Sequence, residues 1–307
     1  MAGLALSISW NALVHSLARE MLFEIKALGF EEIELSFNLT PEMLQDIETH
    51  LGESGIKVVS VHNYCPIPDG LKREEALPDC YAISSLDEEE RARALRYSKR
   101  SIDTASRLGA RAVVLHCGKV DVRDRTRDLI RLYEEGKKGT KEYNDLKVEA
   151  LAERQSRVKG FLDNTLKSLD ELNDHAREKN VCLGVETRFY SREIPDPEEL
   201  RALLDRFKGS QIYYWHDTGH AEVMERLGFY RHKDILDQCG KRLLGVHLHG
   251  VLKCEDHMAP SEGDLDFTWI KPYLKKETIK VIEAHQPATF QDIKKSKELL
   301  ERVLNEH

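Results

Sequence analysis

Residues 211–220, QIYYWHDTGH, join an apolar run to groups that bind metals and carry protons. Ile212, Tyr213, Tyr214 and Trp215 read as a buried strand, and the run ends in His216-Asp217-Thr218-Gly219-His220. A carboxylate and an imidazole three apart can project into one cavity where a strand runs out and Gly219 permits a turn. The same event recurs. VVSVH ends at His62, AVVLH at His116, CLGVE at Glu186, LLGVHLH at His247 and His249, and KVIE at Glu283. One histidine at a strand end is more often a hydrogen-bonded core residue than a ligand. Six runs ending in ligand types call for a common cause. Carboxylates gathered without a cation repel one another, and carboxylate with imidazole suits Zn, Mn, Co or Fe.

Donors on six runs meet only if the strands are parallel neighbours ending at one face. The pattern supplies eight strands alternating with helices. The strands fall at 4–10, 32–37, 57–62, 110–116, 181–186, 212–217, 243–249 and 279–283. Asn11 can cap a first helix that Gly29 ends, and Thr40-Pro41 and Asp196-Pro197 open two others. A helix over 86–108 stops at Gly109; further helices cover 221–227, a turn around Trp269, and 291–303. The long loop 63–85, rich in Pro and Gly, suits a substrate cover. Residues 121–180 exceed what one crossover needs. Their mixed charges predict an elongated, solvated helical hairpin, with a homo-oligomer contact as the rival role. The class is α/β: a single-domain (β/α)8 TIM barrel over 1–307, with a helical insertion after strand four. Its active site belongs at the C-terminal ends of the strands.

Bulk properties narrow the partners. The 307 residues are 33% charged with a formal net charge of −8, which argues against a broad phosphate-binding face and hence against nucleic acid. The start, MAGLALSISW, has neither the length nor the basic residues of a signal peptide, and no run of eighteen apolar residues predicts a membrane span. Six cysteines without CxxC spacing fit a reduced, cytoplasmic setting, with Cys117 and Cys182 as apolar fillers.

The series SVH62, VVLH116CG, GVE186, HDTGH220, VHLHG250, ED256H257MAPSEG263DLDF and VIE283 resembles the xylose isomerase-like TIM-barrel superfamily. That group spans sugar isomerases and epimerases, inosose dehydratases and the endonuclease IV type of abasic-site nucleases. The likeness implies one divalent ion (Zn, Mn, Co or Mg) on Glu186, Asp217, His247 or His249, and Glu283. His247 fits a family pattern of His, two residues, then an acid, although Gly250 stands where the acid belongs. The two histidines point the same way on a strand, so the spacing does not choose between them. The nuclease branch implies two further ions on His62, His116, His220, His257 and an acid, Glu255 by position with Asp256 as rival.

Two reactions follow from the likeness. In an isomerase or epimerase of a small carbohydrate, a sugar or sugar phosphate, the ion polarises a carbonyl and its enediolate while Glu186 and Glu283 move protons beside it. His220 would orient a hydroxyl, and Arg188, His285 and Lys253 stand close enough in sequence to reach substrate oxygens. In a three-ion phosphodiesterase the cluster would activate water, but such an enzyme needs basic loops to hold DNA. Loop 63–85 offers Lys72 and Arg73 among several acids, which ranks the isomerase first. A metal-free binding protein on the same scaffold would have no use for the full ligand set.

Overall fold

Short aliphatic runs buried at nearly every position become the strands, which is the condition for a parallel sheet covered by helices. The computed structural model describes residues 3–305. In chain order the strands are β1 (Leu4–Ser7), β2 (Glu32–Leu35), β3 (Lys57–His62), β4 (Ala112–Leu115), β5 (Cys182–Glu186), β6 (Ile212–Asp217) and β7 (Leu243–Leu248). A small antiparallel hairpin of β8 (Gly250–Leu252) and β9 (Glu255–Met258) follows, then β10 (Ile279–Ile282). Apart from the hairpin, they close into a barrel in the order β1-β10-β7-β6-β5-β4-β3-β2, with every neighbour parallel. Asp217 pairs with His247 across β6 and β7, so both reach the same rim.

The outer layer is α1 (Ala18–Ala27), α2 (Pro41–Ser54), α3 (Glu88–Leu108), α4 (Thr126–Glu134), α5 (Lys141–Lys179), α6 (Pro197–Arg206), α7 (Thr218–Arg226), α8 (His232–Cys239) and α9 (Phe290–Asn305). Thr40 Oγ1 accepts the Met43 N–H before Pro41, and Asp196 with Glu199 forms a capping box before Pro197. Gly109 ends α3 at φ 71°, a left-handed position. Asn11 behaves otherwise. α1 begins only at Ala18, and Asn11 Nδ2 donates sideways to Met21 O (3.4 Å) and Glu24 Oε2 (3.0 Å), bracing the helix rather than capping it.

Two cores position the site. Inside the barrel, Trp215 packs with Ala5, Ala112, Val114, Leu244 and Val281. A Cβ on Gly245 would stand 2.3 Å from the Trp215 ring, so β7 must carry glycine there to admit the indole. The plug forms a floor under the strand ends, its ring centroid 5.1 Å from that of His247. The second core corrects the solvated hairpin expected of 121–180. Leu129 and Leu132 of α4 and Tyr143 of α5 bury against Val223, Leu227, Val251 and Cys254, and Tyr143 OH donates to Leu227 O at 2.9 Å. The charges lie on the outer face and the apolar stripe packs on α7 and the hairpin. The 39 residues of α5 run about 60 Å at 1.5 Å per residue. Its second half is the crossover helix, burying Val158, Phe161, Leu169 and Leu172.

Candidate metal centre

Glu186 ends β5, Asp217 ends β6, His247 is the penultimate residue of β7, and Glu283 directly follows β10. All four are buried, and one ligand atom from each lies within 4.8 Å of the others. His247 Nδ1 stands 2.6 Å from Glu186 Oε1, 2.9 Å from Glu283 Oε2 and 3.6 Å from Asp217 Oδ2. Its Nε2 turns away, 3.0 Å from Glu34 Oε1 on β2, whose Oε2 accepts from Ser60 Oγ at 2.8 Å. Burial raises the carboxyls of Glu186 and Glu283, but the neighbouring histidines outweigh it and hold both below the usual range. Burial lowers His247, yet Glu283, Glu34 and Glu186 drive its imidazole well above normal.

His249 faces the same way and joins Asp217, His257 and Glu283 in a ligand group of its own, but its Nδ1 lone pair is spent on a main-chain N–H. Its Nε2 meets Asp217 Oδ1 and Oδ2 at 2.9 and 3.0 Å, and its Nδ1 accepts the His257 N–H at 2.8 Å. Asp217 Oδ1 also accepts the His220 N–H at 2.6 Å, capping α7, so the carboxylate is held from two sides. The role of Gly219 differs from the turn read in the sequence. It lies in the first turn of α7, where a Cβ would fall 2.0 Å from Cε1 of His249, so it makes room for that ring.

Two further groups adjoin the first. His62 Nε2 and His116 Nε2 stand 3.7 and 2.6 Å from Glu186 Oε2. The His116 approach is close but lacks hydrogen-bond geometry, which leaves Nε2 a buried polar atom without a partner. Their other nitrogens are anchored: His62 Nδ1 on Asn63 O at 3.1 Å and His116 Nδ1 on Asp79 Oδ1 at 3.1 Å. Burial and Arg188 lower the His116 imidazole, but Asp79 and Glu186 prevail and raise it to about 9. The third group is His220, Asp256 and His257. His220 Nδ1 lies on Thr187 O at 3.0 Å, and its Nε2 is 3.6 Å from Asp256 Oδ2. His257 Nδ1 lies 3.1 Å from the same oxygen.

Asp256, not Glu255, therefore supplies the acid of this group. His257 has φ 55°, which breaks strand alternation, so neighbours 256 and 257 face His220 together while Glu255 is exposed. Gly250 is likewise no vacancy for an acid: a Cβ there would stand 2.7 Å from Ala259 O and 3.0 Å from Gly263 N.

These groups open into one cavity of about 300 Å³, which Phe37, Tyr190, Arg188 and His285 also line. Arg188 is held by three carboxylates, its Nη2 2.5 Å from Glu193 and 3.0 Å from Asp79, its Nη1 3.4 Å from Glu186. His285 stacks on His257 with centroids 4.1 Å apart, its Nε2 buried without a partner; burial holds the ring down at about 3. Lys253 is exposed on the hairpin turn and is not among the cavity-lining residues. Two site residues went unread in the sequence. Glu34 had a faint signal, an acid inside the apolar run IELSF, whereas Asp79 had none within loop 63–85.

The donor sets fit divalent ions: several buried carboxylates, imidazoles anchored by hydrogen bonds, and an unpartnered imidazole nitrogen close to a carboxylate. The family model described as Xylose isomerase-like TIM barrel matches residues 22–303. The chain belongs to that family. A relative of this xylose isomerase-like barrel, the uncharacterized protein y4fM of Sinorhizobium fredii (strain NBRC 101917 / NGR234), is 26% identical over 266 residues, covering 81% of this chain and 74% of y4fM. Among solved structures the barrel is similar to the 3-keto-D-glucoside 4-epimerase YcjR of E. coli. The TM-score is 0.71 at 15% identity, covering 98% of this chain and all of YcjR. It is similar also to an L-ribulose 3-epimerase, with TM-score 0.69 at 17% identity over 99% and 95% of the chains. At such identities the likeness carries the fold. No helix among the described residues is long and apolar enough to cross a membrane.

Proposed function

We propose that this xylose isomerase-like barrel is a divalent-metal-dependent isomerase or epimerase of an uncharged sugar, moving a proton beside a carbonyl. The observation that carries the reading is that Glu186 and Glu283, from β5 and the end of β10, approach one buried His247 nitrogen and both line a 300 Å³ cavity. Glu186, Asp217, His247 and Glu283 would hold the ion. It would supply Lewis-acid polarisation of the carbonyl and of the enediolate that follows. Glu283 and Glu186 both line the cavity. One of the two, as carboxylate, would take the proton next to the carbonyl, and the other, as carboxylic acid, would give its proton to the opposite face of that carbon to invert it; in an isomerisation the proton would go to the neighbouring carbon instead. His220, anchored through Nδ1 on Thr187 O, presents Nε2 to a hydroxyl. The structural neighbours, a 3-keto-D-glucoside 4-epimerase and an L-ribulose 3-epimerase, point the same way.

The charge of the substrate follows from Arg188. It is the one Lys or Arg lining the cavity among the described residues, and three carboxylates already hold it. A sugar phosphate would find no free side-chain cation there, so the reading favours a sugar without phosphate. The test is solvent-deuterium exchange at the carbon beside the carbonyl of keto-sugars, with metal content measured on the same sample. Exchange with a keto-sugar phosphate alone would refute the uncharged-substrate part.

One observation favours a second reading, a three-ion phosphoester hydrolase. His62, His116 and Glu186 form one additional ligand group, and His220, Asp256 and His257 another. Loop chemistry weighs against a DNA substrate. Arg73 of loop 63–85 is spent on main-chain carbonyls, Nε on Asn38 O at 3.0 Å and Nη2 on Ala12 O at 2.8 Å. Three tightly held ions per chain together with incision of abasic-site DNA would establish the hydrolase in place of the isomerase.

A further inference from the structure

We infer that Glu34 is a positioning residue for the metal centre: it fixes His247 as the Nε2–H tautomer and so turns the Nδ1 lone pair onto the ion. The inference rests on the metal-dependent reading above. Glu34 is buried on β2, on the far side of His247 from the three carboxylates. It takes one hydrogen bond from His247 Nε2 (3.0 Å) and one from Ser60 Oγ (2.8 Å). The two oxygens are thus used separately: Oε2 is tied to β3 and Oε1 is left for the imidazole. A carboxylate can only accept, so the nitrogen facing it must carry a proton. With Nε2–H so engaged, the nitrogen left to meet an ion is Nδ1, the atom close to Glu186, Glu283 and Asp217, where the ion would replace the proton shared with those carboxylates.

An apolar core residue would serve packing equally well here, and an acid in a fully buried strand position is costly unless it is used. The ring itself is clamped, with Trp215 edge-on at 5.1 Å and His62 stacked at 5.9 Å between centroids. Glu34 therefore sets the proton position and ligand basicity more than the ring plane. That separates a glutamate from its amide. The Glu34→Gln side chain would have the same shape, but its amide can present either a donor or an acceptor to Nε2, and the tautomer is no longer imposed.

The experiment titrates Mn(II) against chelator-treated wild type, Glu34→Gln and Glu34→Ala by competition with a fluorescent chelator. Melting temperatures of the metal-free forms are recorded in parallel. The expected result is a 10- to 100-fold weaker Kd for the tightest-held ion in both variants. Metal-free Glu34→Gln should melt within a few degrees of wild type, so the loss is not one of folding. Glu34→Asp, which keeps an acceptor-only carboxylate, should bind the ion more tightly than Glu34→Gln despite its shorter reach. Variants that bind Mn(II) as tightly as a metal-binding wild type would overturn the role of Glu34 alone. A wild type that binds no divalent ion would overturn the underlying reading and the inference with it.

Discussion

Asp79 Oδ1 lies 3.1 Å from Nδ1 of His116, so a residue of loop 63–85 orients an imidazole at the end of β4. Its second oxygen holds Arg188 Nη2 at 3.0 Å, on the loop after β5. One carboxylate thus pins the loop across the cavity mouth. Asp79→Ala should cut activity 10- to 100-fold, the usual effect of losing a group that orients a ligand. It should also speed proteolytic cleavage within 63–85. Unchanged activity and cleavage rates would show that the loop is held by other contacts.

Glu186→Gln or Asp217→Asn should remove most bound metal, because the remaining donors carry too little charge to offset dehydration of the ion. Glu283→Gln should behave differently. An amide oxygen still contacts the ion but transfers no proton, so turnover should vanish while metal and sugar binding largely persist. Elemental analysis and isothermal titration of the three variants separate the two behaviours.

A helix-interior glycine replaced by alanine usually gains about 1 kcal/mol of stability. Gly219→Ala should reverse the sign. The new methyl would stand 2.0 Å from the His249 ring, and overpacking of that kind costs roughly 1–3 kcal/mol. His249 would have to leave Asp217, so weaker metal binding should accompany the lower Tm. A stabilised variant with full metal would show that the ring has room to move.

The metal-free protein should lose stability as pH rises. His116 and His257 are raised from 6.5 to about 9. Groups raised on folding stabilise fully below the unfolded value and lose that contribution as pH climbs through the folded one. Glu186 and Glu283 are depressed, so their contribution is present above the ordinary carboxyl value and lost as pH falls through the folded value. Chelator-treated protein should therefore melt progressively lower from pH 6.5 to 9. Protein loaded with Mn(II) should change less, since a cation beside Glu186 and Glu283 disfavours protonation of the nearby His116 and His257 and so reduces their pH-dependent contribution. Differential scanning fluorimetry of both forms across that range checks the difference.

The barrel was legible because its strands are short, apolar and end in chemically marked residues; Glu186, Asp217, His247 and Glu283 needed only that topology to meet. The rest depended on geometry that spacing does not encode. His247 and His249 share a strand face, and only the hydrogen bonds of the His249 ring separate them. Asp256 displaces Glu255 because of one left-handed residue. Glu34 is recognised by a partner 213 positions away, and Asp79 by its reach across a loop. The apolar stripe of 121–180 was masked by charge on the opposite face.

The single helix α5 joins the rim to the barrel wall without a break from Lys141 to Lys179. Its first half is locked to α7 by Tyr143, and its second half is part of the main core. Residues 141–179 are consequently a fixed support behind the site. On the proposed reading, a substrate reaching Glu186 and Glu283 meets loop 63–85, whose residues 77–79 line the cavity and which Asp79 ties to His116 and Arg188.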